Sequence, residues 1–150
     1  RSPSRGLGDV YKRQDEDIQP ARAQVLVTNP IPNLKVRGTF HYEKGYYYFR
    51  NIGDRILLGG GRNIDIKGEN TANFGTTDAI QNRLKSLLRE TILPNEEFNI
   101  DYTWSGIMGV GATKSPILRM LNKNTAIGVR LGGMGVALGS QVGKKLSSYF

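Results

Sequence analysis

Thr125-Ala126-Ile127-Gly128-Val129-Arg130-Leu131-Gly132-Gly133-Met134-Gly135-Val136-Ala137-Leu138-Gly139 runs from a short buried-type strand through a glycine-rich turn into a helix-forming stretch. Strand, glycine turn and helix make an anion-binding design. The first N–H groups of a helix have no intrahelical acceptor, the macrodipole puts about half a positive charge at that end, and glycines let a ligand approach the backbone closely. Gly132, Gly133 and Gly135 stand where such a cradle requires them, and Arg130 adds a formal charge just upstream. Many strand–helix turns are glycine-rich for structural reasons, so the pattern alone admits a ligand cradle or a plain turn. Gly135, Gly139 and Gly143 recur every four residues and leave one helix face without side chains. Gln141, Lys144 and Lys145 oppose a membrane dimer face. The stripe suits close packing against a partner that none of the 150 residues obviously supplies.

Working upstream, residues 78–93 carry the clearest helical period. Ile80, Leu84, Leu87, Leu88 and Ile92 fall at i, i+4, i+7, i+8 and i+12 and define one apolar face, while Arg83, Lys85, Arg89 and Glu90 lie mostly off it. Asp78 with Gln81 resembles a capping box, and Pro94 marks the stop. The remaining elements are strands. Residues 23–28 are β-rich and end at Asn29-Pro30, with Pro32 extending the connector. Residues 36–42, 46–50 and 55–59, separated by turns at Glu43-Lys44-Gly45 and Asn51-Ile52-Gly53-Asp54, form an antiparallel meander. Residues 98–108 add a strand, 65–76 give no strong element, and a last helix covers 133–148. The fold class is α+β.

Composition narrows the chemistry. The absence of Cys excludes disulfides and thiolate catalysis, and a single His without clustered carboxylates argues against a metal site. No apolar run approaches the roughly 18 residues that span a bilayer, and with no secretory signal the default location is cytoplasmic. The net charge is +8, but Arg1, Arg5, Lys12 and Arg13 outweigh Asp9 within the first fourteen residues. Gly6-Leu7-Gly8-Asp9-Val10-Tyr11-Lys12-Arg13-Gln14 has no amphipathic period and resembles translated adaptor sequence. Residues 1–14 are therefore treated as a non-native tail without function, the alternative being an ordinary disordered basic tail. Arg rather than Met at position 1 agrees with a truncated reading frame.

Four ordered motifs carry a family resemblance over residues 20–150. The segment 129–139 looks like the C-terminal flavin-contacting segment of the D-amino-acid oxidase and glycine oxidase superfamily. Pro20-Ala21-Arg22-Ala23-Gln24-Val25 resembles its Pro-x-Arg-Gly-Gln strand. Tyr46 to Arg50 with Asp54-Arg55-Ile56-Leu57-Leu58-Gly59-Gly60 resembles its Tyr-rich strand and Leu-Gly-Gly hairpin, and Trp104-Ser105-Gly106 its Trp-x-Gly strand. The family's Gly-x-Gly-x-x-Gly turn for the FAD pyrophosphate does not occur here; Gly6-Leu7-Gly8 follows no buried strand.

The resemblance implies FAD as cofactor and an amine or amino acid as substrate, oxidised at a C–N bond by hydride transfer to flavin. It implies an antiparallel substrate-type domain over 20–122 with one long packing helix, and over 123–150 the strand, glycine turn and helix that complete an FAD-binding domain. The N-terminal half of that domain is missing, so the fragment alone is expected to be inactive. Arg130, Leu131, Gly132, Gly133, Met134, Gly135 and Val136 become the cofactor-binding candidates, set near the flavin pyrimidine edge. No catalytic residue is assigned. The family often follows its Trp-x-Gly strand with Arg-Pro, where the Arg can bind a substrate carboxylate. Here Ile107-Met108-Gly109 offers no Arg, which puts an amino-acid substrate in doubt or moves the carboxylate partner to Arg50 or Arg62.

Tyr46 and Tyr48 share one strand face and are the aromatic pocket candidates. Tyr46, Tyr48, Arg50 and Arg62 thus make the substrate-binding set, each with the alternative of a plain sheet or surface residue. Two other functions compete: a basic module for nucleic acid or anionic partners, and a family relative that has lost catalysis. The basic residues are spread along the chain without a nucleic-acid motif, so no nucleic-acid partner is expected.

Overall fold

The structure, a computed structural model, describes residues 18–150, and the tail at residues 1–14 lies outside them. The chain divides into two compact units, one of Arg22–Ile107 and one in which Met108–Phe150 joins residues 18–21. It is α+β.

The first unit is built on a sheet. The strands are β1 (Gln19–Thr28), β2 (Thr39–Tyr42), β3 (Tyr47–Ile52), β4 (Arg55–Gly60) and β5 (Ile100–Val110), in the order β2-β3-β4-β1-β5. The meander expected from the turns is present, with β2 antiparallel to β3 and β3 to β4. β1 pairs antiparallel with β4, Leu26 opposite Leu58, and so stands between the meander and β5. Its composition suits that central place: Ala21, Leu26 and Thr28 are fully buried, and the polar Gln24 and Thr28 have hydrogen-bond partners.

Helix α1 (Asp78–Leu87) covers one sheet face. Ile80, Leu84, Leu87 and Leu88 are buried in one cluster with Leu26, Tyr47, Ile56 and Leu58. The apolar period therefore marks the core, each large side chain contributing about 1.5–3 kcal/mol on burial. The expected helix over 78–93 changes form before its end. Leu88–Ile92 is a π turn, closed by the Leu93 N–H on the Leu88 carbonyl at 2.7 Å. The capping-box expectation fails. Thr77 is the N-cap and makes no side-chain cap bond, while Gln81 is buried and donates to Gln24 Oε1 at 3.2 Å. Burial of Gln81 beside an amide partner outcompetes the exposed cap geometry.

The second unit holds β6 (Ile117–Asn122), β7 (Thr125–Val129) and α2 (Gly135–Ser147). β6 and β7 form an antiparallel hairpin whose turn is held by the Asn124 N–H on Asn122 Oδ1 at 2.9 Å. The turn at 122–124 is legible in sequence; β6 is not, because its apolar residues fall as the pairs Ile117-Leu118 and Met120-Leu121 on either side of Arg119, without alternation.

Candidate functional site

Strand alternation sorts the substrate candidates of the first unit. Phe49 and Tyr47 point to the face covered by α1, where Phe49 packs against the core and Tyr47 belongs to it. Tyr48 and Arg50, one residue out of phase, share the other face. There Tyr48 lies opposite His41 on one side and Gly59 on the other. A Cβ at Gly59 would fall 2.6 Å from the Tyr48 ring, so the phenol rests directly on the bare backbone of β4. This half-buried position pushes the Tyr48 phenol above the ordinary tyrosine pKa, because burial disfavours the phenolate. Arg50 is exposed and donates Nε to the Asn51 carbonyl at 3.2 Å.

Tyr46 departs from the expected face. It precedes β3 with helical dihedrals (φ −68°, ψ −23°), so it is outside the alternation that would align it with Tyr48. Its carbonyl accepts the Gly61 N–H at 3.0 Å. Arg62 opens a 3₁₀ turn, Arg62–Ile64, just beyond β4, and donates Nη2 to Asn70 Oδ1. Its Nε is buried without a hydrogen-bond partner. The structure thus brings Tyr48 and Arg50 together, and sets Tyr46 and Arg62 apart beside Gly61. Trp104 is 44% exposed on β5.

One residue escaped the sequence reading altogether. Glu69 is fully buried and binds Arg22 through both carboxylate oxygens, at 3.0 Å to Nε and 2.6 Å to Nη2. Gln24 adds a third bond to it at 3.0 Å, and also grips Thr77 through the Thr77 hydroxyl and backbone N–H, each at 3.0 Å. The bond to Glu69 holds the Arg22 guanidinium above its usual, already high pKa. The Arg-x-Gln spacing on a central strand, with both side chains on one face, was the available signal. It anchors the polar loop at 61–77.

In the second unit the turn after β7 has the backbone a cradle requires. Arg130, Gly132 and Gly133 all have positive φ, at +62°, +56° and +85°. Arg130 accepts this conformation while its guanidinium holds the loop before β6, through the Ser115 carbonyl (3.0 Å) and the Thr113 hydroxyl (2.9 Å). The Gly132 N–H binds the Gly109 carbonyl at 3.0 Å, and the Met134 N–H the Leu131 carbonyl at 2.8 Å. Met134, the N-cap of α2, supplies no side-chain cap. Met134 and Val136 are exposed, as are both glycines, so the first turn of α2 opens outward without a covering side chain.

The glycine stripe meets no close partner among the described residues. Among the described residues nothing lies within 4 Å of a Cβ built at Gly139 or Gly143, and at Gly135 only Leu131 does, at an ordinary 3.7 Å. The close approach within this unit is made at Gly128 of β7, where a Cβ would meet Val142 at 2.5 Å and Leu146 at 3.0 Å. The apolar i, i+4 pair Val142 and Leu146 was the sequence signal for that face.

These residues fit a flavin edge on two observations: an exposed pair of positive-φ glycines, and an uncapped helix start behind them. No cluster of potential metal ligands occurs among the described residues, and none of their helices is long and apolar enough to cross a membrane.

No curated protein matches the chain. Among solved structures it is similar to L-proline dehydrogenase from P. horikoshii, with a TM-score of 0.67 at 18% identity, covering 86% of this chain and 34% of that one. The chain thus spans about a third of the length of that protein, and the likeness is one of fold. The family model described as FAD dependent oxidoreductase matches residues 4–149. The chain belongs to the DAO family of FAD-dependent oxidoreductases.

Proposed function

We propose that this chain is the C-terminal part of an oxidoreductase that removes a hydride from the amine-bearing carbon of an amine or amino acid, the other half of its FAD-binding domain lying in sequence not included here. The observation that carries the reading is the turn between β7 and α2, with positive φ at Gly132 and Gly133 and no cap on the helix that follows. FAD, when bound, supplies the hydride acceptor. The substrate leaves with one C–N bond oxidised to an imine, which water converts to a carbonyl compound and free amine. The segment Arg130, Leu131, Gly132, Gly133, Met134, Gly135 and Val136 serves that chemistry through its backbone. The N–H groups of the first turn of α2 and the helix dipole favour negative charge beside them, which stabilises the reduced cofactor.

In the first unit Tyr48 and Arg50 are the side chains proposed for substrate. The Tyr48 phenol stays neutral and offers packing with a hydrogen-bonding tip. Arg50 supplies the guanidinium fork that a carboxylate needs, where the Ile107-Met108-Gly109 segment has no Arg. The name of the similar structure, an L-proline dehydrogenase, supports an amino acid as substrate. Tyr46 and Arg62 are assigned supporting places at the end of β4.

The test is anaerobic reduction of the flavin in the parent holoprotein. Amino acids and carboxylate-free amines are mixed in turn and the loss of the oxidised flavin band is followed. Bleaching by an amine-bearing substrate, with release of the carbonyl product, is expected. An Arg50→Ala variant should raise KM for amino acids and leave carboxylate-free amines unaffected. A holoprotein bleached by dithionite but by no amine would overturn the reading and leave an inactive relative.

A further inference from the structure

The unit Arg22–Ile107 carries a second concave surface that plays no part in the reading above. It is a cleft of ≈ 300 Å³ between β2 and the π turn that ends the long helix. Its floor is aromatic. Phe40 and Phe49 stack with centroids 4.8 Å apart and planes inclined by 14°. Tyr42 extends that floor, and Leu87, Thr91 and Ile92 line the cleft from the helix. Phe40, Tyr42 and Phe49 alternate with His41, Tyr48 and Arg50, so the cleft lies on the opposite sheet face from the candidate substrate residues.

Three features distinguish it from an ordinary surface groove. First, Phe40 and Tyr42 are 38% and 39% exposed on an edge strand, where large aromatic side chains without cover are a liability. Second, the charges lining it are all of one sign. Lys35 and Arg37 line the cleft, and no carboxylate does. Arg37 is held by the Gly53 carbonyl at 3.0 Å and by Asp54 Oδ1 at 3.1 Å. No carboxylate pairs with Lys35 among the described residues, so its ammonium is the cation that a ligand can engage. Third, Thr91 and Ile92 belong to the π turn Leu88–Ile92. Such turns interrupt the regular helix ladder and recur at functional sites.

We propose that this cleft binds a small aromatic carboxylate, its ring on the Phe40–Phe49 stack and its carboxylate at Lys35. The volume sits at the low end of ligand pockets, which run from about 300 to 1,000 Å³, and so suits a one- or two-ring acid rather than a nucleotide or a peptide. An aromatic ring matches the offset-stacking preference of the floor. The single-sign rim selects an anion over a neutral ligand.

The experiment titrates 1-naphthylacetate into the full chain and follows NMR shifts, with the neutral 1-naphthaleneethanol as isostere. Shifts confined to Phe40, Tyr42, Phe49 and the 87–92 turn are expected, with the acid bound about three- to five-fold more tightly than the alcohol, the range open to an exposed ion pair. Lys35→Gln should abolish that preference and leave alcohol binding unchanged. Thr91→Trp places a ring in the cleft from an exposed position and should remove both ligands while the circular dichroism of the chain is retained. Equal affinity for acid and alcohol, shifts elsewhere only, or undiminished binding to Thr91→Trp would each overturn the proposal. None of these outcomes depends on bound FAD, so the result is separable from the oxidoreductase reading.

Discussion

Arg22 and Glu69, 47 residues apart in sequence, form a two-point ion pair in the interior of the first unit, with Glu69 wholly removed from solvent. The Glu69 carbonyl also accepts the Arg22 backbone N–H at 2.8 Å, so the two residues are joined by main chain and side chain alike. A buried pair of this kind is expensive to desolvate and more expensive to break. Glu69→Ala leaves the Arg22 guanidinium and the Gln24 amide without their shared acceptor, and should cost about 3–5 kcal/mol in a denaturant melt. The double change Arg22→Met with Glu69→Leu removes both charges and should be milder than Glu69→Ala alone. A double variant less stable than the single one would show that the pair contributes to stability beyond avoiding an orphaned charge.

The core prediction rests on Leu84, which has no exposed surface and belongs to the cluster under the sheet. Leu84→Ala should lower unfolding free energy by about 2–5 kcal/mol through lost contacts and the cavity left behind. Leu84→Asp should be worse, because it buries a carboxylate without a partner. A change below about half a kcal/mol for Leu84→Asp, typical of surface sites, would contradict the packing of α1 on the sheet.

Tyr48 gives a pH prediction. Burial raises its folded pKa above the unfolded value, so the folded state holds the phenolic proton more tightly. The resulting stability is fully present below the unfolded pKa near 10 and is lost as pH rises through the folded value. Tyr48→Phe should flatten the alkaline fall in stability. Gly59→Ala should displace the ring, since the added Cβ would fall 2.6 Å from it, and return the Tyr48 titration toward that of an ordinary phenol. Denaturant melts against pH measure the first effect, and phenolate absorbance followed against pH measures the second. An unchanged titration midpoint in Gly59→Ala would show that the ring does not rest on Gly59.

The parts of the fold written in strong periods are legible in the sequence. The spacing of Ile80, Leu84, Leu87 and Leu88 gave the helix and its buried face, and the glycine and asparagine turns gave the meander. What escaped depends on partners distant in sequence. Nothing local marks Glu69 as buried, because its environment is made by Arg22 and Gln24 on β1, far away in sequence. The central place of β1 is likewise a long-range result, set by its pairing with β4. The π turn at Leu88–Ile92 keeps the apolar spacing of a helix, so periodicity cannot show it. For the candidate site, Thr125 to Val136 was recognisable as strand, turn and helix, although the strand ends at Val129 and Arg130 already belongs to the turn. The glycine at which β7 and α2 meet, Gly128, was not, because its contacts with Val142 and Leu146 appear only when the two elements pack.

The turn between β7 and α2 separates two kinds of glycine, and this gives the last prediction. Gly133 has φ +85°, and a Cβ there would lie 3.1 Å from Met108 Sδ. Any side chain at 133 is strained by about 1–2 kcal/mol from the backbone alone, before Met108 has moved. Gly135 begins α2 with ordinary space around it, its built Cβ meeting only Leu131 at 3.7 Å. Within this chain Gly135→Ala is therefore tolerated, and alanine is the better helix former. If the turn is a plain connection, Gly133→Ala should reduce stability and Gly135→Ala should not, with FAD content unchanged in whatever folds. If the turn cradles the flavin, both variants of the parent holoprotein should lose FAD on desalting, since each puts a methyl group where the cofactor approaches the backbone. The midpoint potential of flavin retained by Gly135→Ala should also fall, because the helix N–H groups sit farther from the charge that reduction creates. Flavin absorbance per protein after desalting, read beside a thermal melt, decides between the two. A Gly135→Ala holoprotein with full FAD content and an unchanged potential would reduce the turn to a structural role.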